Sequence, residues 1–304
     1  MGTANTILSD INEIYTGYVL NGNKWFDSTA KAQYNQRVKQ AQPNEVEDAQ
    51  GKAVAMATEF TKWAKASGYK IPVKKVWWTA RPNSMSQAVG YSVDQKKNPT
   101  DILVQFTSGP SNGFLGLSAK ATQGSGDIGF KNPGIGTVDR SLGLSLAQEY
   151  KNQSDQTVKK FVLPESANAR KIYIRQNPGI KKQTEEIGVK ILSAMRDEML
   201  VRLKKFKQPE LIKYLLSDWM DAEILKPPYI KVTGQGNKPP YKAVVVDPVK
   251  NEKLDALGKY PITLEVVGNE SIGVKAGEKK IMKIRFKFES EKMASSVKLS
   301  GDPW

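Results

Sequence analysis

The sequence predicts an α/β or α+β fold, because helical and extended patterns both occur along the chain. Apolar residues at four-residue spacing from Ile187 to Leu203 are typical of one face of a long helix. Residues 101–121 instead form two extended stretches around a run of turn-forming residues. With 304 residues, 39% of them hydrophobic, the chain is long enough to bury one large core or two ordinary ones.

The expected elements follow in chain order. Residues 5–40 are predicted to be helical and polar, and Gln42-Pro43-Asn44 ends this region. Further helices are expected at 44–65, 181–206 and 209–219, and strands at 73–79, 101–107, 114–121, 171–174, 229–232, 241–246, 262–267 and 281–288. This order suggests three regions: an N-terminal helical region over 1–44, a core over 45–226 and a strand-rich, basic region over 227–304.

The composition excludes several classes of mechanism. The chain has no His and no Cys, which excludes imidazole catalysis, thiolate nucleophiles, disulfides, zinc ribbons and iron–sulfur clusters. The remaining reactive side chains are carboxylates, amines and hydroxyls. The oxygen atoms of the carboxylates and hydroxyls suit hard cations such as Mg²⁺ or Mn²⁺.

The charge indicates a polyanionic partner. Lys and Arg number 46 and Asp and Glu number 31, which gives a net charge of +15, and an excess of this size favours nucleic acid. No apolar run approaches the roughly 18 residues that a membrane span requires. We therefore expect a cytoplasmic protein without a membrane partner.

The segment 101–120 is predicted to be a hairpin that carries reactive groups. If Thr107 faces Phe114, then Asp101 lies directly opposite Lys120. Alternation places Asp101, Ser118 and Lys120 on one face and the apolar residues on the other. An ordinary cross-strand ion pair would explain this arrangement. The alternative is a carboxylate that holds Mg²⁺ beside a lysine that positions water at a phosphate, and the charge of +15 and the absence of His and Cys favour this alternative.

Asp101, the hairpin and Ser118-Ala119-Lys120 together resemble the motif of the PD-(D/E)XK nucleases. The resemblance covers about residues 45–125. It implies a restriction-endonuclease-like fold with a mixed central sheet flanked by helices, Mg²⁺ or Mn²⁺ as cofactor, and duplex DNA as partner. It also implies catalytic roles for Asp101 and Lys120, with Ser118 where the family has an acidic residue.

The resemblance implies a second carboxylate from elsewhere in the fold. Family members often carry an acidic residue on the helix before the motif strands, so Glu59 is the first candidate for a catalytic, metal-binding residue. The others are Asp127, Glu149 and Asp94. The expected function is that of a Mg²⁺-dependent DNA endonuclease, either restriction-like or phage-encoded. Such an enzyme could act as a homodimer. The alternatives are a non-catalytic nucleic-acid-binding protein on the same fold and a viral DNA-associated structural protein.

Two further segments suggest contacts to nucleic acid. Gly124–Gly129 matches G-x-G-x-x-G, but the helical pattern that a dinucleotide site requires does not follow it. The segment is better explained as a loop whose backbone N–H groups approach a phosphate, or as a plain connection. Lys131 and Arg140 would add positive charge to that loop. In 281–288, Lys283, Arg285 and Lys287 alternate with apolar residues, which suits either a phosphate-binding strand or an edge strand protected by lysines.

Overall fold

A computed structural model shows that the chain folds into two compact units. The described residues are 4–95, 97–124, 130–220, 222 and 224–304. The first unit comprises Met1–Ile128 and Glu223–Asn251, and the second comprises Gly129–Ala222 and Glu252–Trp304. The expected mixture of helices and strands, with a strand-rich C-terminal part, is confirmed.

The first unit contains a five-stranded mixed sheet. Its helices are α1 (Ala4–Leu20), α2 (Ser28–Val38), α3 (Pro43–Ala66) and α4 (Ser84–Val89), and its strands are β1 (Lys70–Trp78), β2 (Ile102–Ser108), β3 (Phe114–Ala121), β4 (Tyr229–Gln235) and β5 (Lys242–Val246). The strands lie in the order β1-β2-β3-β4-β5. All neighbours are antiparallel except β3 and β4, which are parallel.

One face of this sheet packs against α1 and α3. The alternating apolar residues of β2 and β3 point to this face, as the sequence predicts, and pack against Ile11 and Ile14 of α1 and Met56 and Phe60 of α3. Helix α1 contacts β1, β2 and β3, whereas α3 contacts mainly β4 and β5. The described N-terminal helices α1 and α2 therefore contribute to this core.

The predicted register of the β2–β3 hairpin is wrong by two residues. Phe114 faces Gln105 and not Thr107. Strand β2 continues past this pair to Ser108 along β1, and there the Thr107 hydroxyl donates to the carbonyl oxygen of Lys70 at 2.7 Å. A one-turn 3₁₀ segment, Pro110–Gly113, closes the hairpin. A shift of two residues preserves which side chains share a face.

The second unit contains a four-stranded antiparallel sheet covered by helices. Its helices are α5 (Ile135–Leu142), α6 (Leu146–Lys160), α7 (Ala167–Gln176), α8 (Pro178–Leu203), α9 (Gln208–Tyr214) and α10 (Glu252–Lys259), a π-helical turn spans Leu215–Trp219, and its strands are β6 (Ile262–Val267), β7 (Ser271–Ala276), β8 (Lys279–Phe288) and β9 (Val297–Pro303). The strands follow one another in chain order. The apolar stripe of α8 is buried against the sheet, as its spacing predicts.

Three expectations differ from this arrangement. Residues 171–174 belong to α7 and not to a strand, and the Ser166 hydroxyl caps that helix by accepting from the Ala169 N–H at 3.2 Å. The supposed core 45–226 and C-terminal region 227–304 are each divided between the units. The reason is that β4 pairs with β3 and so joins the first sheet, bringing the buried Ile230 and Val232 into its core.

Candidate metal-binding and catalytic site

Asp101 is held at the beginning of β2 through its backbone and one carboxylate oxygen. Its N–H donates to the Leu117 carbonyl at 2.9 Å. Its Oδ2 accepts from the Ala119 N–H at 2.8 Å, from the Lys120 Nζ at 3.2 Å and from the Ser118 hydroxyl at 3.4 Å. Within the described residues, Oδ1 accepts no hydrogen bond. The side chain as a whole is 23% exposed.

A second carboxylate comes from α1. The indole Nε1 of Trp78, at the end of β1, donates to Oε2 of Glu13 at 3.2 Å. In the described part of the chain, Glu13 Oε1 accepts no hydrogen bond. Glu13 and Lys120 both line a cleft of about 480 Å³ in the first unit. Glu13 and Asp101 are thus each held through one carboxylate oxygen. The other oxygen of each accepts no hydrogen bond from the described residues.

The two carboxylates influence each other electrostatically. Burial raises the pKa of Glu13 to about 8, and the nearby charge of Asp101 adds to this increase, while the Trp78 hydrogen bond and Lys120 oppose it. Burial also raises the pKa of Asp101 above its ordinary value, against the opposing effects of Lys120, the Ala119 N–H and Ser118. Near neutral pH the metal-free Glu13 therefore keeps its proton, and a bound cation would take the place of that proton beside Asp101.

These residues fit a magnesium ion. Mg²⁺ is commonly held by one or two carboxylates, with water and substrate phosphate oxygens completing its coordination. Glu13 and Asp101 supply two carboxylates with unengaged oxygens. Among the residues that the structure describes, no group of three or more acidic side chains is placed to hold a metal ion. The remaining ligands would accordingly be water and phosphate.

The opposite wall of the cleft is a closed polar cluster. Lys52 of α3 is only 4% exposed, and its Nζ pairs with Asp48 Oδ2 at 2.7 Å. The Tyr241 hydroxyl donates to Asp48 Oδ1 at 2.6 Å. Lys52 is therefore committed to Asp48, and this cluster fastens α3 beside β5.

Ser118 stands where the sequence resemblance led us to expect an acidic residue. Its side chain is fully buried, and its hydroxyl donates to Asp101. It orients the carboxylate and is not exposed to the cleft as a cation ligand.

The structure does not bring Glu59, the first candidate for the second carboxylate, to this site. The Glu59 side chain is 36% exposed, and its carboxylate pairs with Lys62 at 2.6 Å. It lies 11 residues beyond Asp48 on α3, which corresponds to about 16 Å along the helix axis. The expectation fails because the nearer preceding helix packs towards β4 and β5, while the earlier helix packs over β1–β3.

The other candidates for the second carboxylate lie elsewhere. Asp127 falls outside the described residues. Glu149 is on α6 of the second unit, where its charge raises the pKa of Glu198, an effect that adds to burial. Asp94 precedes β2 and accepts through its backbone carbonyl from the N–H groups of Lys97 and Asn98. Its charge is not among those that act on the pKa of Glu13 or Asp101.

Sequence reasoning missed Glu13, although a signal for it exists. Ile7, Ile11 and Ile14 follow helical spacing, which marks the buried face of α1. Glu13 adjoins this apolar face, and an acidic residue beside the buried face of a helix is a candidate for a functional group. The family resemblance pointed to an acidic residue on a preceding helix without indicating which one.

The residues expected to contact nucleic acid lie in the second unit. Lys131 is engaged internally, since its Nζ donates to the Ser217 carbonyl at 2.9 Å, and Arg140 is exposed on α5. The glycine-rich residues 125–129 lie outside the described part of the chain. Lys283, Arg285 and Lys287 alternate with buried apolar residues, as predicted. Their strand β8 lies between β7 and β9, so the edge-strand interpretation is wrong.

Comparison with known proteins places the chain in no family. No protein-family model matches it, and no curated protein sequence matches it. Within the described residues, no helix combines the length and the hydrophobicity that crossing a lipid bilayer requires.

Proposed function

We propose that this protein is a Mg²⁺-dependent nuclease that hydrolyses phosphodiester bonds of DNA at the cleft of the first unit. The observation that carries the proposal is the pair of carboxylates, Glu13 and Asp101, each with one unengaged oxygen and with Lys120 beside them. The resemblance of residues 101–120 to the PD-(D/E)XK nucleases supports the same chemistry. The chain has no His and no Cys, and carboxylate-held metal is a route to hydrolysis that needs neither.

Each residue has a distinct role in this reaction. Glu13 and Asp101 would hold the cation, which supplies Lewis acidity at the scissile phosphate and an activated water. Lys120, whose side chain is 39% exposed, offsets the negative charge that develops on the phosphate. Ser118 and the Ala119 N–H keep Asp101 in one orientation, and Trp78 does the same for Glu13.

Nucleic acid is the class of substrate that the composition favours, and the family resemblance favours DNA. A net charge of +15 attracts a polyanion and makes binding depend on salt. The proposal includes a cytoplasmic setting, that of the host cell for a phage-encoded protein, and it accommodates a homodimer. The second candidate is a non-catalytic nucleic-acid-binding protein, which Ser118 favours because a serine stands where the family has an acidic residue.

Plasmid cleavage tests the proposal. Purified protein is incubated with supercoiled plasmid in Mg²⁺, in Mn²⁺ and in chelator. We expect metal-dependent nicking that falls at least about a hundredfold in Glu13→Gln, Asp101→Asn and Lys120→Ala, the scale on which one group acting on transition-state charge contributes. Glu59→Gln is the matched control, because it makes the same change on a carboxylate outside the cleft, and it should retain full activity.

Two results decide against the nuclease. Wild-type protein that binds DNA but cuts nothing with either metal would favour the non-catalytic candidate. Cleavage that persists in both Glu13→Gln and Asp101→Asn would show that the cleft is not the site of hydrolysis.

A further inference from the structure

The outer face of the second unit's sheet collects basic side chains. Register places Gly273 opposite Lys283, and Lys287 opposite Lys298. Because facing residues and alternate residues of a strand share one side of a sheet, Lys275, Lys283, Arg285, Lys287 and Lys298 lie on the face of Gly273. The opposite face, with Ile272, Val274, Ile284 and Phe286, is buried in the core.

One aromatic ring, that of Trp304, lies on this basic face. A Cβ atom on Gly273 would come within 2.6 Å of Cη2 and Cζ3 of Trp304, so the absence of a side chain at 273 allows the indole to rest on the sheet. The Nζ atoms of Lys275 and Lys280 lie 5.3 Å and 4.8 Å from the ring centroid. The indole is half-buried, held against the strand by glycine and flanked by two ammonium groups.

We propose that this face, which we call the tryptophan face (Lys275, Lys280, Lys283, Arg285, Lys287 and Trp304), binds a single-stranded nucleic acid. A base stacks on the indole of Trp304, and the lysines and Arg285 contact successive phosphates. Proteins that bind unpaired strands combine these two elements, aromatic stacking platforms and a positively charged track. This site goes beyond the proposed hydrolysis, because it uses residues of the second unit alone.

The spacing and charge of the face suit an extended strand. Lys283, Arg285 and Lys287 recur every two residues of β8, about 6.6 Å apart, which is comparable with the separation of phosphates in an extended single strand. Some of the positive charge is balanced, since Lys275 pairs with Glu265 at 2.8 Å and Arg285 lies 3.9 Å from Glu270. Asp302 faces Lys283 across β8 and β9 on the same side of the sheet. In the described part of the chain, neither Lys283 nor Lys287 has a carboxylate oxygen within 4.0 Å of its ammonium group.

A base can compete with the lysines for the indole. An exposed cation–π contact raises the equilibrium constant for its formation by roughly two- to fivefold. Stacking of one base on an aromatic side chain raises the binding constant by roughly five- to a hundredfold. Stacking would move the ammonium groups of Lys275 and Lys280 from the ring towards the phosphates. A duplex offers no such exchange, because its bases are already stacked and paired.

Binding of fluorescent oligonucleotides tests the tryptophan face. Anisotropy is measured in chelator with the Asp101→Asn variant as the parent protein, so that cleavage plays no part and a failure of the proposed hydrolysis does not affect the result. The probes are a 15-nucleotide deoxythymidine strand, an abasic strand of equal length and a 15-base-pair duplex. We expect Trp304→Ala to weaken binding of the deoxythymidine strand at least about fivefold, Trp304→Phe to restore most of the loss, and neither change to alter binding of the abasic strand.

A matched pair of charge variants tests the phosphate contacts. Lys275→Ala with Lys280→Ala should reduce the slope of log K against log salt by about 1.4 for the single strand, because each phosphate contact contributes about 0.7. Lys204→Ala with Lys205→Ala removes equal charge from exposed lysines beyond the end of α8 and should leave the slope close to that of the parent. The proposal is overturned if Trp304→Ala leaves binding of the deoxythymidine strand unchanged. It is also overturned if the change weakens binding of the duplex or the abasic strand by the same factor.

Discussion

Replacement of Glu13 by glutamine should stabilise the metal-free protein at high pH. Burial and the charge of Asp101 raise the pKa of Glu13 from 4.5 to about 8, so the folded protein binds the proton more tightly than the unfolded chain. The stability that the protonated group contributes is fully present below pH 4.5 and is lost as the pH rises through 8. Glutamine is uncharged at every pH and its amide oxygen still accepts from Trp78, so the variant avoids this loss.

The magnitude follows from the size of the shift. One pKa unit corresponds to about 1.4 kcal/mol, which sets an upper bound of about 5 kcal/mol for the difference between the two proteins at pH 9. Solvent access to the cleft reduces this, and we expect about 2 to 4 kcal/mol. At pH 4 the two proteins should be nearly equal in stability, because Glu13 is then protonated in both the folded and the unfolded state.

Urea unfolding in chelator, followed by tryptophan fluorescence from pH 4 to pH 9, measures this difference. Glu59→Gln serves as the control and should differ little from the wild type at any pH, since the Glu59 side chain is 36% exposed and its partner is the exposed Lys62. Mg²⁺ at pH 8 should stabilise the wild type and have much less effect on Glu13→Gln, because a cation that binds only the folded state adds its binding free energy to stability. A stability difference that is flat across this pH range would refute the assigned environment of Glu13.

Three further predictions concern the fold and its partner. Gly113→Ala should destabilise the protein by about 1–3 kcal/mol in thermal unfolding, because Gly113 has a φ of 78° and an added Cβ would lie 2.7 Å from the carbonyl oxygen of Phe106; unchanged stability would contradict the assigned turn. Phe60→Ala should cost about 3–5 kcal/mol in urea unfolding, since Phe60 is fully buried between α3 and the first sheet, whereas a cost below about 1 kcal/mol would place it outside the core. Binding of duplex DNA should weaken steeply with salt because basic residues displace condensed counterions; titrations at 50 and 200 mM salt that give equal affinities would argue against nucleic acid as the partner.

Local patterns in the sequence were sufficient to predict much of the secondary structure. The stripe from Ile187 to Leu203 predicted the buried face of α8, and the alternation of residues 281–288 predicted the two faces of β8. Residues 171–174 were misassigned because a short apolar segment fits either a strand or a helix, and the cap at Ser166 decided between them. The strands β7 and β9 were missed, since Gly273 and Gly301 interrupt their apolar patterns.

Pairing between distant segments could not be predicted in the same way. The parallel pairing of β3 with β4 joins residues more than a hundred positions apart, and no local periodicity records such a partner. This one pairing removes residues 229–246 from the expected C-terminal region and places them in the first unit. This pairing accounts for the boundary near residue 227, whereas the N-terminal residues join the same unit because α1 packs on β1, β2 and β3.

The contact between Asp101 and Lys120 survived an incorrect register for a geometric reason. Side chains of a strand alternate between faces, so an even shift leaves every residue on its predicted side and a shift of one would have separated them. Asp101 continues the observed register opposite Ser118, and Lys120 lies one alternate position further on, close enough for its ammonium group to approach Oδ2 at 3.2 Å.

The position of the second carboxylate depends on which helix crosses the strands that carry the first. Asp101 and Trp78 lie at the same end of the antiparallel pair β1–β2, where Trp78 faces Ile102, and α1 is the helix that packs across β1, β2 and β3. A residue of α1 can therefore accept a hydrogen bond from Trp78 and still lie close enough to Asp101 to feel its charge, as Glu13 does. Helix α3 is fastened towards β5 through Asp48 and Tyr241, so its residue Glu59 has no comparable access. The site consequently joins groups separated by 88 positions in sequence, and only the packing of α1 on the sheet brings them together.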